Sequence, residues 1–150
     1  MDVRTLMRPD PVTLSVSDSL DIADGLMRLG RIRHLPVVQG TRLVGIVTHR
    51  DLLQAAVSSL LEADPASERA WLRNVRVATV MTAQVFTVPP WAPLQTAVDI
   101  MLEKKVGCLP VVDEGGSLVG LLTETDCLQR LRTLLDAGET RQALPELPPL

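Results

Sequence analysis

The sequence predicts an α/β fold made of two copies of one strand-helix-strand-strand-helix unit. Three observations carry that prediction: an internal duplication, apolar spacing that alternates between strand and helix periods in the same order in both halves, and turn residues at matching places. A duplicated sequence implies a duplicated structural unit, so the repeat comes first.

Shifting the N-terminal half by 74 positions aligns Val3 with Val77, Thr5 with Thr79, Met7 with Met81, Thr13 with Thr87, Leu20 with Leu94, Ala23 with Ala97 and Met27 with Met101. Leu35-Pro36-Val37-Val38 then falls on Leu109-Pro110-Val111-Val112. One extra residue in the turn Glu114-Gly115-Gly116 moves the shift to 75, after which Leu43, Val44, Gly45, Thr48, Asp51 and Leu53 meet Leu118, Val119, Gly120, Thr123, Asp126 and Leu128. Unrelated segments of about fifty residues share only about three identities at ordinary residue frequencies, so chance does not explain the match.

Each copy opens with a β-rich stretch beside prolines or turn residues, Val12-Thr13-Leu14 and Val85 to Val88, read as a short strand. A helix follows. In copy one Asp18 is the expected N-cap, with Leu20, Ala23 and Met27 on one face; in copy two Pro93 is expected at the first helical position, ahead of Leu94, Ala97 and Met101. His34 to Val38 and Leu43 to Val47 flank Gln39-Gly40-Thr41-Arg42 as a hairpin, repeated around Asp113 to Ser117. Closing helices are expected over Asp51 to about Leu61 and Asp126 to about Leu135. The chain is thus divided into repeat one (1-61), a helical connector (62-76) whose Trp71 and Leu72 are packing anchors, repeat two (77-137) and a flexible, proline-containing tail (138-150).

With 150 residues and 46% hydrophobic content the chain can bury a core without covalent staples. Fifteen Lys and Arg against eighteen Asp and Glu give a net charge of -3, which argues against nucleic acid as a partner. No apolar run reaches the roughly 18 residues of a membrane span, and the start Met1-Asp2-Val3-Arg4 has no secretory pattern. Cys108 and Cys127 form no paired motif. A cytoplasmic protein with reduced thiols is expected, with no membrane partner.

Each copy runs from its last strand into its last helix through Gly-h-h-Thr-x-x-Asp, where h is apolar: Gly45 to Asp51 and Gly120 to Asp126. One reading is a capping box, in which Thr and Asp satisfy two orphan amides. The other uses the same geometry for a ligand: amides and a hydroxyl at a helix start suit a phosphate, and a carboxylate accepts hydrogen bonds from a ribose diol.

Three features together resemble the cystathionine beta-synthase (CBS) domain family over the whole length of both copies: Met7 or Met81 ahead of a Thr-containing strand, the Leu-Pro-Val-Val block, and the Gly-h-h-Thr-x-x-Asp ending. The resemblance implies a stand-alone tandem CBS pair, or Bateman module, with two β-α-β-β-α repeats packed through their sheets about a pseudo-two-fold axis and two clefts between them. It implies a regulatory sensor of adenine nucleotides (AMP, ADP or ATP) or S-adenosylmethionine that acts on a separate effector protein, needs no cofactor and catalyses nothing. The ribose-binding role falls on Asp51 and Asp126, and the phosphate-facing role on Thr48 and Thr123. The adenine wall falls on Pro11-Val12-Thr13 or Val85-Phe86-Thr87, and on the segments at the Leu-Pro blocks, Arg33, His34 and Pro36 or Gly107, Cys108 and Pro110.

His49 and Arg50 lie between Thr48 and Asp51, where copy two has Glu124 and Thr125, so the Thr48/Asp51 cleft is expected to hold a phosphate more tightly. Arg31, Arg33, Lys104 and Lys105 end the first helices and favour the helix dipole; Arg31 or Arg33 can also reach a phosphate. His34 and His49 have no ligands at zinc spacing, and Cys108 sits in no nucleophile motif, so neither a metal site nor an enzyme is expected. Leu52, Leu53, Leu60 and the Leu128 to Leu135 helix are candidates for a homodimer face. The rival reading is a ligand-free structural dimerisation module whose Thr-x-x-Asp pairs are caps alone.

Overall fold

The computed structural model describes residues 1-60 and 65-138, with side chains outside 58-68. Copy one contributes β1 (Arg8–Pro9), β2 (Leu14–Ser15), α1 (Leu20–Gly30), the hairpin β3 (His34–Gln39) and β4 (Arg42–Thr48), and α2 (His49–Leu60). A connector helix α3 (Pro65–Asn74) and a short α4 (Val77–Val80) lead to α5 (Leu94–Lys104), the hairpin β5 (Cys108–Val112) and β6 (Leu118–Thr123), and α6 (Glu124–Gly138). The flexible tail expected from 138 onward lies outside the described residues after Gly138, as do residues 61-64 of the connector.

Two three-stranded sheets form, in the orders β2-β3-β4 and β1-β6-β5. The second order exposes an exchange. β1 comes from copy one yet pairs with β6 of copy two, Arg8 opposite Leu121 and Pro9 opposite Gly120. Thr82 of copy two reciprocates by bridging Ile46 on β4. The cores follow the same exchange. Val77 is buried with Leu14, Leu20, Leu35 and Val47 of copy one, and Val3 with Val88, Leu109, Val111 and Leu122 of copy two. Burying side chains of this size stabilises by about 1.5 to 3 kcal/mol each, so each leading segment is held by the copy to which it does not belong in sequence.

The exchange also explains the helix starts. Neither Ser19 nor Pro93, the cap residues of α1 and α5, makes a side-chain cap bond. Instead the Leu20 amide donates to Val75 O at 2.9 Å and the Leu94 amide to Met1 O at 3.0 Å. The orphan amides of a helix start thus find the backbone that enters the opposite copy. This corrects two expectations: Asp18 accepts from the Ser15 amide at 2.7 Å and does not cap α1, and Pro93 precedes the first helical residue because its extended ψ of 137° carries Leu94 toward Met1.

The opening strands are also shorter than expected. Copy one pairs only at Leu14–Ser15, parallel to β3. The Val85 to Val88 stretch reduces to one bridge, Val88 with Val111; Pro89 and Pro90 follow it and have no amide to extend a ladder. Both hairpins form as expected, with Gly40 (φ 65°) and Gly116 (φ 82°) in the left-handed region their turns require. The hairpin tips meet across the copies, the Leu118 amide donating to Thr41 O at 3.0 Å. Ile46, Cys108 and Leu121 form a small third cluster joining the two sheets, with Val85 against it. From the connector, Leu72 is buried in the first core and Trp71 packs beside it.

Candidate ligand cleft between the copies

Both Thr-x-x-Asp motifs form reciprocal caps. The Thr48 amide donates to Asp51 Oδ2 at 2.8 Å and the Asp51 amide to Thr48 Oγ1 at 3.2 Å. In copy two the Thr123 amide and hydroxyl both donate to Asp126 Oδ2, at 2.9 and 2.6 Å, and the Asp126 amide donates back to Thr123 Oγ1 at 3.3 Å. There the equivalence ends. Arg8 Nε donates to Asp126 Oδ1 at 2.7 Å, and Asp126 is only 5% exposed. The residue aligned with Arg8 in copy two is Thr82, which carries no charge to offer Asp51.

Beside Thr123 lies a cavity of about 710 Å³, walled by both copies. Copy one supplies Pro11 and Val12 from the loop before β2, and Arg31, Arg33 and His34 from the end of α1 and the start of β3. Copy two supplies Gly107 and the motif residues Thr123, Glu124 and Thr125. The volume lies within the range of small-molecule sites, roughly 300 to 1,000 Å³. Arg31 adopts φ 50° at the α1 C-cap, a left-handed turn that sends the chain directly into Ile32 and Arg33 along the cavity wall. Asp10, also at positive φ (48°), lines the same cavity.

Of the residues singled out from sequence, Pro11, Val12, Arg33, His34, Gly107 and Thr123 therefore meet around one cavity. Asp126 is buried beneath Arg8. Thr13 is exposed away from the lining, while Pro36, Cys108 and Pro110 are buried within the sheets. Thr48, Arg50 and Asp51 belong to the opposite motif, and His49 borders a separate cavity of about 210 Å³ with Met27, Leu52 and Leu72. Val85 packs on the inter-sheet cluster, Phe86 receives Lys104 Nζ at 5.7 Å from its ring centre, and Thr87 is exposed.

The charge reading changes accordingly. Within the motif, Glu124 of copy two stands where copy one has His49, which makes copy two the weaker expected phosphate site. The cavity at Thr123 instead draws Arg8, Arg31 and Arg33 from copy one against Asp10 and Glu124. The 74-residue shift sets Arg8 against Thr82, one of many unmatched positions, so the repeat alone gives Arg8 no special weight.

His34 and Glu124 converge above Gly107, where an added Cβ would lie 3.4 Å from His34 Nε2 and 3.3 Å from Glu124 Oε2. Burial lowers the His34 pKa below its ordinary value; the Glu124 charge opposes that shift and the Arg33 charge adds to it. Burial, with the Asp126 charge adding, pushes the Cys108 thiol up to about 12. Among the described residues no group of three or more His, Cys, Asp or Glu side chains could hold a metal ion, and no helix is long and apolar enough to cross a membrane.

The CBS domain family model matches residues 3-58 and 77-133, one match per copy. The chain belongs to the CBS domain family, as a tandem pair. It is 33% identical over 135 residues to a CBS domain-containing protein of Dictyostelium discoideum, covering 89% of this chain and 93% of that one. It is 40% identical over 121 residues to the inosine-5'-monophosphate dehydrogenase of Korarchaeum cryptofilum (strain OPF8), covering 81% of this chain but only 22% of the enzyme. The crystal structure of CBSX2 in complex with AMP superposes with a TM-score of 0.74 at 29% identity, covering 89% of this chain and 97% of that chain.

Proposed function

We propose that the cavity beside Thr123 binds an adenine nucleotide and that the chain is a regulatory sensor acting on a separate partner protein, without chemistry of its own. The observation that carries the reading is the cavity itself: the two copies line about 710 Å³, copy two with a helix-start threonine and copy one with Arg31 and Arg33. The AMP complex of CBSX2, a relative of the same fold, supports it. Adenine fits between Pro11, Val12 and His34, and the phosphate lies toward Arg31 and Arg33, whose planar forks suit phosphate oxygens. The site at Thr48 and Asp51 is the weaker of the two. A ligand touching both copies shifts their relative packing only by its differential affinity for the two arrangements, and that shift is what a partner reads.

The module pairs with a second copy through α6, on which Leu128, Leu131, Leu134 and Leu135 are all at least half exposed, with Leu53 and Val57 of α2 adding to the same apolar character. Leu52, in contrast, is buried in the first core, and the Leu60 side chain lies outside the described residues.

One observation favours a second reading, a ligand-free dimerisation module: Asp126, the carboxylate a ribose would need, is 5% exposed and already accepts from Thr123 and Arg8. Thermal unfolding with AMP, ATP or S-adenosylmethionine separates the two. A ligand at 100 times its dissociation constant adds about 2.7 kcal/mol, so the sensor reading expects a rise in Tm that Arg33→Ala reduces. No rise with any of the three leaves the dimerisation module.

A further inference from the structure

We propose that Arg8 sets the ligand class of the Thr123 cleft: it competes with a ribose for Asp126 and, once displaced, pairs with the phosphate, so that phosphorylated adenosines are selected over the uncharged nucleoside. The inference rests on the adenine-nucleotide reading above. Asp126 Oδ2 is committed to the Thr123 amide and hydroxyl. Oδ1 is the remaining oxygen, and Arg8 Nε holds it at 2.7 Å. Oδ1 can accept a second bond, but with Asp126 only 5% exposed and Arg8 lying over that oxygen, a ribose hydroxyl reaches it by moving the guanidinium aside.

The Arg8 side chain can yield it. It is 61% exposed against 6% for Asp126, and it sits on a two-residue edge strand lining the same cavity as Arg31 and Arg33. Displacement by a nucleoside leaves the guanidinium only the Asp10 and Glu124 carboxylates of the same cavity, which Arg31 and Arg33 share. Displacement by a nucleotide hands it to a phosphate, where it can form a charge-assisted, two-pronged contact. The exchange thus costs little for AMP and more for adenosine. At Asp51 the position of Arg8 in the repeat is held by Thr82, which has no charge to exchange.

The test is titration calorimetry of the full chain with AMP and with adenosine, for the wild type, Arg8→Ala and Arg8→Lys. Because Arg8→Ala removes a charge-assisted contact to the phosphate and a competitor of the ribose together, it is expected to lower the AMP-to-adenosine preference by about tenfold. Much of that change should come from tighter adenosine binding, with Arg8→Lys between the two. An unchanged preference, or equal weakening of both ligands, overturns the inference and leaves Arg8 a structural ion pair while the nucleotide reading stands. Absence of binding by either ligand to all three proteins removes the nucleotide reading, and the inference with it.

Discussion

Gly120 lies against Met7 of the opposite copy, so closely that a Cβ there would fall 2.6 Å from Met7 Sδ and 3.1 Å from the Arg8 carbonyl oxygen. Gly45 stands in the same relation to Met81 and Thr82. The motif glycine therefore serves the exchange of leading segments: it clears the last strand for the chain that crosses over it.

That relationship predicts a cost for the smallest enlargement. Met7 can bend aside, but the Arg8 backbone is paired to β6 and cannot. Gly120→Ala is expected to lose about 1 to 3 kcal/mol, the usual penalty for overpacking a filled site, measured as a lower urea midpoint at constant m-value. Stability equal to wild type would mean that β1 does not cross at this position.

The exchange makes a second prediction about where damage appears. Val3 and Val77 are both fully buried, each in the core of the other copy. Truncating either to Ala should cost roughly 2 kcal/mol, from lost transfer energy and the remaining cavity. Val3→Ala should raise amide exchange at Leu109 and Leu122, and Val77→Ala at Leu35 and Val47. Local loss confined to the variant's own sequence copy would contradict the exchange.

What sequence could and could not show divides along the same line. Helical spacing put Leu20, Ala23 and Met27 on one buried face, and all three are buried; the hairpins followed from Gly40 and from the Gly-rich turn of copy two. These are local signals. The destination of Val3 and Val77 is not local, because the two copies present the same apolar pattern to either leading segment. The opening strands pair over fewer residues than their β-rich stretches span for a related reason: Val12 and Phe86 have strand-forming character but are exposed, Val12 on the cleft. The cleft was legible residue by residue at Pro11, Val12, Arg33, His34, Gly107 and Thr123, whereas the arginine it draws from β1 lies outside the motif. Arg8 belongs to a segment whose packing partner had to be known before its charge could be assigned.

His34 carries the last prediction, on pH. Burial at the cleft floor favours the neutral imidazole, holding the folded pKa below the ordinary 6.5. The sign follows from proton linkage: the unfolded chain takes up the proton first as pH falls, so acid favours unfolding. The contribution of His34 to stability is fully present above about pH 6.5 and is lost as pH falls through that value toward the lower folded pKa. Glu124 opposes this by favouring the imidazolium, and Arg33 reinforces it. Chemical unfolding between pH 7.5 and 5 should therefore show a decline in stability that His34→Gln makes shallower and Glu124→Gln makes steeper. Identical pH profiles for wild type and His34→Gln would mean that the imidazole is not held neutral by its burial.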